Sequence, residues 1–170
     1  QLNTLLNQVD TELIQQSVKI IKKKIKSKSK IYLIGNGGSS SIANHVSVDF
    51  TKSAGIKSLT FNNSNLITCF ANDYGHENWV TEAIKAFCSK KDLIILISSS
   101  GNSMNIINAA KYCKKNDIDF ITLSGFSEKN KLRKMGKVNF YVKSKDYNFV
   151  EMTHHIILLN IVDLFAKKIV

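Results

Sequence analysis

The apolar run Lys30-Ile31-Tyr32-Leu33-Ile34 breaks into Gly35-Asn36-Gly37-Gly38-Ser39-Ser40-Ser41, and Leu93-Ile94-Ile95-Leu96-Ile97 later breaks into Ser98-Ser99-Ser100-Gly101-Asn102-Ser103. Each reads as a buried strand that ends in a turn of glycine and hydroxyl residues and then opens a helix. Such a turn offers free backbone N–H groups, hydroxyl donors and the positive end of a helix dipole. Two of them at strand ends of one sheet point to an anionic, polyhydroxylated ligand, most simply a sugar phosphate.

Outward from these runs the pattern alternates. The stripe Leu5, Val9, Leu13, Val18, Ile21 and Ile25 predicts a helix over 3–27. Strands are expected at 30–34, 58–61, 92–97, 119–123 and 138–142. Helices are expected at 40–53, 64–71, 77–89 and 103–115, with a short one near 128–135 and a long apolar one over 148–168. Strands alternating with helices indicate an α/β three-layer sandwich with a mostly parallel, five-stranded, flavodoxin-like sheet. Ligands in such sheets bind beyond the strand carboxyl ends, near a topological switch point. No linker or repeat divides residues 1–170, so a single domain is expected, with a leading helix at 1–28 and a closing helix at 148–168.

Composition narrows the class. No run approaches the roughly 18 apolar residues of a membrane span, and an N-terminus carrying Asp10 and Glu12 does not read as a signal peptide. Cys69, Cys88 and Cys113 fit no metal spacing and read as neutral thiols of a reducing cytoplasm. The net charge is +11, but Arg133 is the only arginine and the lysines are scattered over Lys22–Lys24, Lys114-Lys115 and Lys129–Lys137. Nucleic-acid readout favours arginine forks. The charge is therefore read as solvated surface that mildly attracts anionic substrates.

The first turn lacks the Gly-Lys-Ser/Thr end of a Walker motif and the last glycine of GxGxxG, so no nucleotide cofactor is expected. Alone it reads as a tight strand-to-helix turn. The second turn places Ser98, Ser99, Ser100 and Ser103 at a helix start, where N-capping needs only one hydroxyl. Gly35–Ser39, Asn72-Asp73-Tyr74-Gly75 and Ser98–Ser103 together resemble the SIS (sugar isomerase) domain, and within it the bacterial phosphoheptose isomerases, over essentially the whole chain. The resemblance implies that Asn36, Gly37, Gly38 and Ser39 line the sugar phosphate. It implies that Ser98, Ser99, Ser100 and Ser103 hold its phosphate, and that Asn72 and Asp73 contact sugar hydroxyls. It further implies a cytoplasmic homotetramer, with both terminal helices in its contacts, that isomerises sedoheptulose 7-phosphate for surface polysaccharide (lipopolysaccharide or capsule). Asp73 also has a plainer reading as a helix cap.

Proton transfer between adjacent carbons needs a base and an acid. The family places a His and, four residues on, a Glu on the helix after the first turn; here those positions are His45 and Asp49. On the last helix it places a Gln and, eight residues on, a His; here they are Glu151 and Leu159. Some members bind zinc with this quartet, which makes zinc a candidate cofactor with His45, Asp49 and Glu151 as ligands. Leu159 neither ligates metal nor carries a proton. His155, one turn earlier, is a candidate for the missing role; the alternative is a simple Glu151–His155 helical pair. The catalytic candidates are thus Asp49, His45, Glu151 and His155. His154 reads as packing, and Trp79, Phe87 and Tyr147 as core or subunit contacts. Two functions stay open: a phosphosugar ketose–aldose isomerase, and a phosphosugar-binding sensor or adaptor that has lost the chemistry.

Overall fold

The computed structural model describes residues 1–166. Its strands are β1 (Ile31–Ile34), β2 (Ser58–Thr60), β3 (Leu93–Ser98), β4 (Asp119–Ser124) and β5 (Val138–Tyr141). Its helices are α1 (Leu2–Asn7), α2 (Thr11–Lys26), α3 (Gly38–Lys52), α4 (Ser64–Tyr74), α5 (Trp79–Phe87), α6 (Met104–Lys115) and α7 (Tyr147–Asp163). The expected closing helix thus runs to Asp163, and its positions 167 and 168 lie outside the described residues.

Every strand pairing is parallel, in the order β2-β1-β3-β4-β5. The central strands β1, β3 and β4 are buried on both faces, which is why β1 and β3 read as unbroken apolar runs, whereas β2 and β5 are only partly covered. Successive side chains alternate between two cores. Ile31, Leu33, Leu93, Ile95, Ile121 and Phe140 pack with α2, α3 and α7. Tyr32, Ile34, Ile94, Leu96 and Phe120 pack with α5 and α6, and partly with α4. The three-layer sandwich follows from this alternation. The order reverses between β1 and β3, so the turns after these two strands flank the switch point where such sheets take ligands.

Two expected elements are corrected. The helix over 3–27 is two helices, because the Asp10 carboxylate accepts a hydrogen bond from the Glu12 amide at 2.8 Å and caps α2 afresh. That bond competes with helix continuation through Val9. The short helix near 128–135 is absent; turns occupy 128–135. There the buried Asn130 side chain replaces helical bonding. Its amide donates to the Gly125 carbonyl at 3.1 Å and the Ser127 carbonyl at 2.8 Å, and its oxygen accepts from the Arg133 amide at 2.9 Å. Leu132 N–H also donates to the Gly101 carbonyl at 3.0 Å, tying this loop to the second glycine-serine turn.

Candidate active site

β1 and β3 are neighbours, with Ile34 level with Leu96, so their turns lie side by side. Ser39 Oγ and Ser99 Oγ, from different turns, are 3.4 Å apart. Each turn reverses through a glycine of positive φ, Gly37 (52°) and Gly101 (64°), a region costly for residues with a Cβ. Asn36 of the first turn and Asn105, in the first helical turn of α6, are joined by a reciprocal amide pair at 3.0 and 2.9 Å. Together the turns line an open cavity of about 250 Å³ with Tyr147 and Glu151 of α7.

The hydrogen bonding inside this cavity is incomplete in an informative way. Asp10, Asn63 and Asp146 cap α2, α4 and α7 with their side chains. The starts of α3 and α6, like those of α1 and α5, have no cap from the N-cap side chain, but only at α3 and α6 do serines crowd the open end. The Ser103 Oγ instead accepts a hydrogen bond from Ser98 Oγ at 3.2 Å. Uncapped first-turn amides beside a cluster of hydroxyls form a site for an anion.

Of the phosphate and sugar candidates, Asn36, Gly37, Gly38, Ser39, Ser98, Ser99, Ser100 and Ser103 all line this one cavity. Asn72 and Asp73 do not. They sit on the exposed end of α4, where the Asp73 carboxylate accepts from Asn72 Nδ2 at 2.9 Å and from the Cys69 thiol at 3.7 Å, and caps no helix.

The four catalytic candidates fall into two groups. Glu151 enters the serine cavity, lying over Gly38 and accepting from Ser99 Oγ at 3.4 Å. His45, Asp49 and His155 meet further along the α3–α7 seam. His45 Nε2 and an Asp49 oxygen are 3.1 Å apart. The His45 and His155 rings meet edge to face at 4.7 Å. Burial holds the His155 ring below its ordinary pKa, with His45 adding to the shift and Asp49 opposing it. Its Nε2 is buried without a partner. Leu159 packs against the α2–α3–α7 core. Zinc needs about four N, O or S donors converging on one point. Here Glu151 turns to the serines and Leu159 offers no donor. Among the described residues no group of three or more His, Cys, Asp or Glu side chains is placed to hold a metal ion. As arranged, these residues do not fit zinc.

Tyr147 is not a core residue: it is exposed on this chain and forms a wall of the cavity, its ring edge-on to Phe126 at 4.7 Å. Phe87 is exposed as well, while Trp79 is core as expected. Asn105 and Asn130 escaped notice in the sequence, since a polar residue in a helix or loop reads as surface until its partner is known.

His154 is fully buried behind the second turn, its Nε2 bonded to the Ser124 carbonyl at 3.1 Å. Burial pushes its pKa down to about 4. The unfolded chain, with an ordinary imidazole near 6.5, therefore binds the proton first as pH falls. The contribution of His154 to stability is expected to be full above about pH 6.5 and to fall by roughly 3 kcal/mol on the way to pH 4. Urea unfolding across that range checks this. The His154→Gln variant is expected to show a much flatter profile, and an unchanged profile refutes the assignment.

Comparisons with known proteins identify the family and match the fold. A family model described as SIS domain matches residues 1–125. The phosphoheptose isomerase of Aliarcobacter butzleri is 32% identical over 149 residues, covering 84% of this chain and 78% of the relative. The structure of phosphoheptose isomerase GmhA from Neisseria gonorrhoeae has a TM-score of 0.86 at 22% identity, covering 96% of this chain and 90% of that one. The Vibrio vulnificus NanR protein complexed with ManNAc-6P has a TM-score of 0.68 at 19% identity, covering 96% of this chain and 57% of that one. The chain belongs to the SIS domain family, among the relatives of the phosphoheptose isomerases.

Proposed function

We propose that this chain is a phosphosugar ketose–aldose isomerase that converts sedoheptulose 7-phosphate to a heptose 7-phosphate. The observation that carries the reading is the pair of uncapped, serine-lined helix starts facing one cavity. The kinship with phosphoheptose isomerases supplies the sugar. The phosphate dianion sits on the second turn, where the Ser98, Ser99, Ser100 and Ser103 hydroxyls and the α6 amides supply donors. The first turn, through Asn36 and the amides of Gly37, Gly38 and Ser39, takes the reacting end of the sugar. The chemistry is proton transfer between adjacent carbons through an enediol, which needs no redox cofactor.

We place the enzyme in the cytoplasm as a homotetramer in surface polysaccharide synthesis. No helix among the described residues is long and apolar enough to cross a membrane. Self-association is supported by α4, which carries Leu66, Ile67 and Phe70 yet has no fully buried residue, and by the exposed Val48, Leu59, Phe87 and Met152.

A second reading, a phosphosugar-binding sensor or adaptor without turnover, is favoured by Leu159, whose side chain joins the core on the helix that would carry the chemistry. The same fold recurs in NanR complexed with ManNAc-6P. Incubation with sedoheptulose 7-phosphate in deuterated water, followed by NMR, separates the two. The isomerase incorporates deuterium at carbon and yields the aldose; saturable binding with no exchange establishes the sensor.

A further inference from the structure

We propose that Glu151, rather than Asp49 or an imidazole, is the base that carries the proton between C1 and C2 of the ketose, and that the amides at the start of α3 hold the oxyanion that forms; this rests on the isomerase reading above.

A base must come within about 3 Å of the proton it takes. Glu151 and Tyr147 are the titratable side chains of the described residues that line the serine cavity, and a phenol is a poor base at neutral pH. The His45–Asp49 pair is seven residues along α3 from Gly38, about 10 Å at the helical rise, and its members are bonded to each other. His155 lies a full turn beyond Glu151 and against His45.

Glu151 is seated for the task. A Cβ added to Gly38 would fall 2.6 Å from its carboxyl carbon, so the carboxylate lies directly on the first residue of α3. Ser99 Oγ donates to one oxygen at 3.4 Å, leaving lone pairs open to the cavity. The amides of Gly37, Gly38 and Ser39 donate to no backbone carbonyl outside the regular helix and strand ladders, and the first N–H groups of a helix have no partner within it. Carboxylate and amides therefore face the same small volume, one as proton acceptor and the others as donors to a developing negative oxygen.

The step balances within the substrate. The Glu151 carboxylate takes a proton from C1, the C1–H pair becomes the C1=C2 bond, and the C2 carbonyl oxygen becomes an alkoxide held by the α3 amides. The O1 hydroxyl proton passes to O2, the C1–O1 carbonyl forms, and the proton on Glu151 returns to C2. Ketose has become aldose with no oxidant consumed.

The test uses the full-length protein with sedoheptulose 7-phosphate in deuterated water. Glu151→Gln is expected to lower kcat and carbon exchange by about a thousandfold, while Kd by calorimetry stays within about threefold. Glu151→Ala is expected to regain at least tenfold of its activity with added formate, which a merely structural role would not permit. The proposal is overturned alone if wild type isomerises and Glu151→Gln does so within tenfold of it. The same holds if Asp49→Asn or His45→Ala abolishes exchange while Glu151→Gln leaves it intact. If wild type binds the sugar phosphate without exchange, the isomerase reading fails and takes the proposal with it.

Discussion

Replacing Gly38 with alanine is expected to lower isomerase turnover by roughly a hundredfold or more without weakening the fold. Gly38 opens α3 with an ordinary helical backbone. Alanine is favoured over glycine in helices by up to about 1 kcal/mol, so thermal stability should hold or rise slightly. The new methyl group nonetheless occupies the place of the Glu151 carboxylate, whose carboxyl carbon lies 2.6 Å from it. The end of a flexible side chain gives way easily, so the cost falls on position rather than on stability. A displacement of about 1 Å in a reacting group costs on the order of a hundredfold in rate. Thermal unfolding and steady-state kinetics on the same preparation check this. Turnover within threefold of wild type would show that Glu151 does not act from its seat on Gly38.

The Ser100→Asp variant is expected to lose about a thousandfold in affinity for the phosphosugar while folding normally. Ser100 lies on the second turn, and its Oγ accepts the Asn102 amide at 3.2 Å. Aspartate makes the same local turn bond, so the turn survives. Its carboxylate, however, enters the cavity that takes the phosphate. At about 4 Å and an effective dielectric of about 20, like charges repel by roughly 4 kcal/mol, and each 1.4 kcal/mol is tenfold in affinity. The neutral Ser100→Ala variant removes a single donor and should lose only about tenfold. Calorimetric titration of the three proteins checks the order. Equal affinity of Ser100→Asp and wild type would move the phosphate off this turn.

Much of this site was legible in the order of residues because it is local. A buried parallel strand is a continuous apolar run, and a turn that must accept an anion needs small residues, so Ile31–Ser39 and Leu93–Ser103 declare themselves. Adjacency of the two turns followed from the alternation of strands and helices, and the pairing of β1 with β3 realises it. The parts that stayed hidden depend on contacts between distant segments. His45 and Asp49 share a helix face by spacing, but nothing in the spacing says that Glu151 turns away from them to Gly38 and Ser99. Asn130 looked like part of a short helix, since its bonds to Gly125 and Ser127 arise only once the chain folds back. Tyr147 is ambiguous for the same reason, because an aromatic at a helix start reads alike whether it faces a core, a second subunit or a cavity. The break at Asp10 had a local signal, Asp10-Thr11-Glu12, which the apolar stripe across it outweighed.

The most direct test is to see where the ligand lands. Backbone amide spectra of the nitrogen-15-labelled protein, titrated with sedoheptulose 7-phosphate, are expected to shift Gly37, Gly38 and Ser39 together with Ser99, Ser100 and Gly101 along a single saturation curve. Shifts confined to one of these two segments, or centred on the cleft between α1 and β5, would contradict joint capture of the phosphosugar.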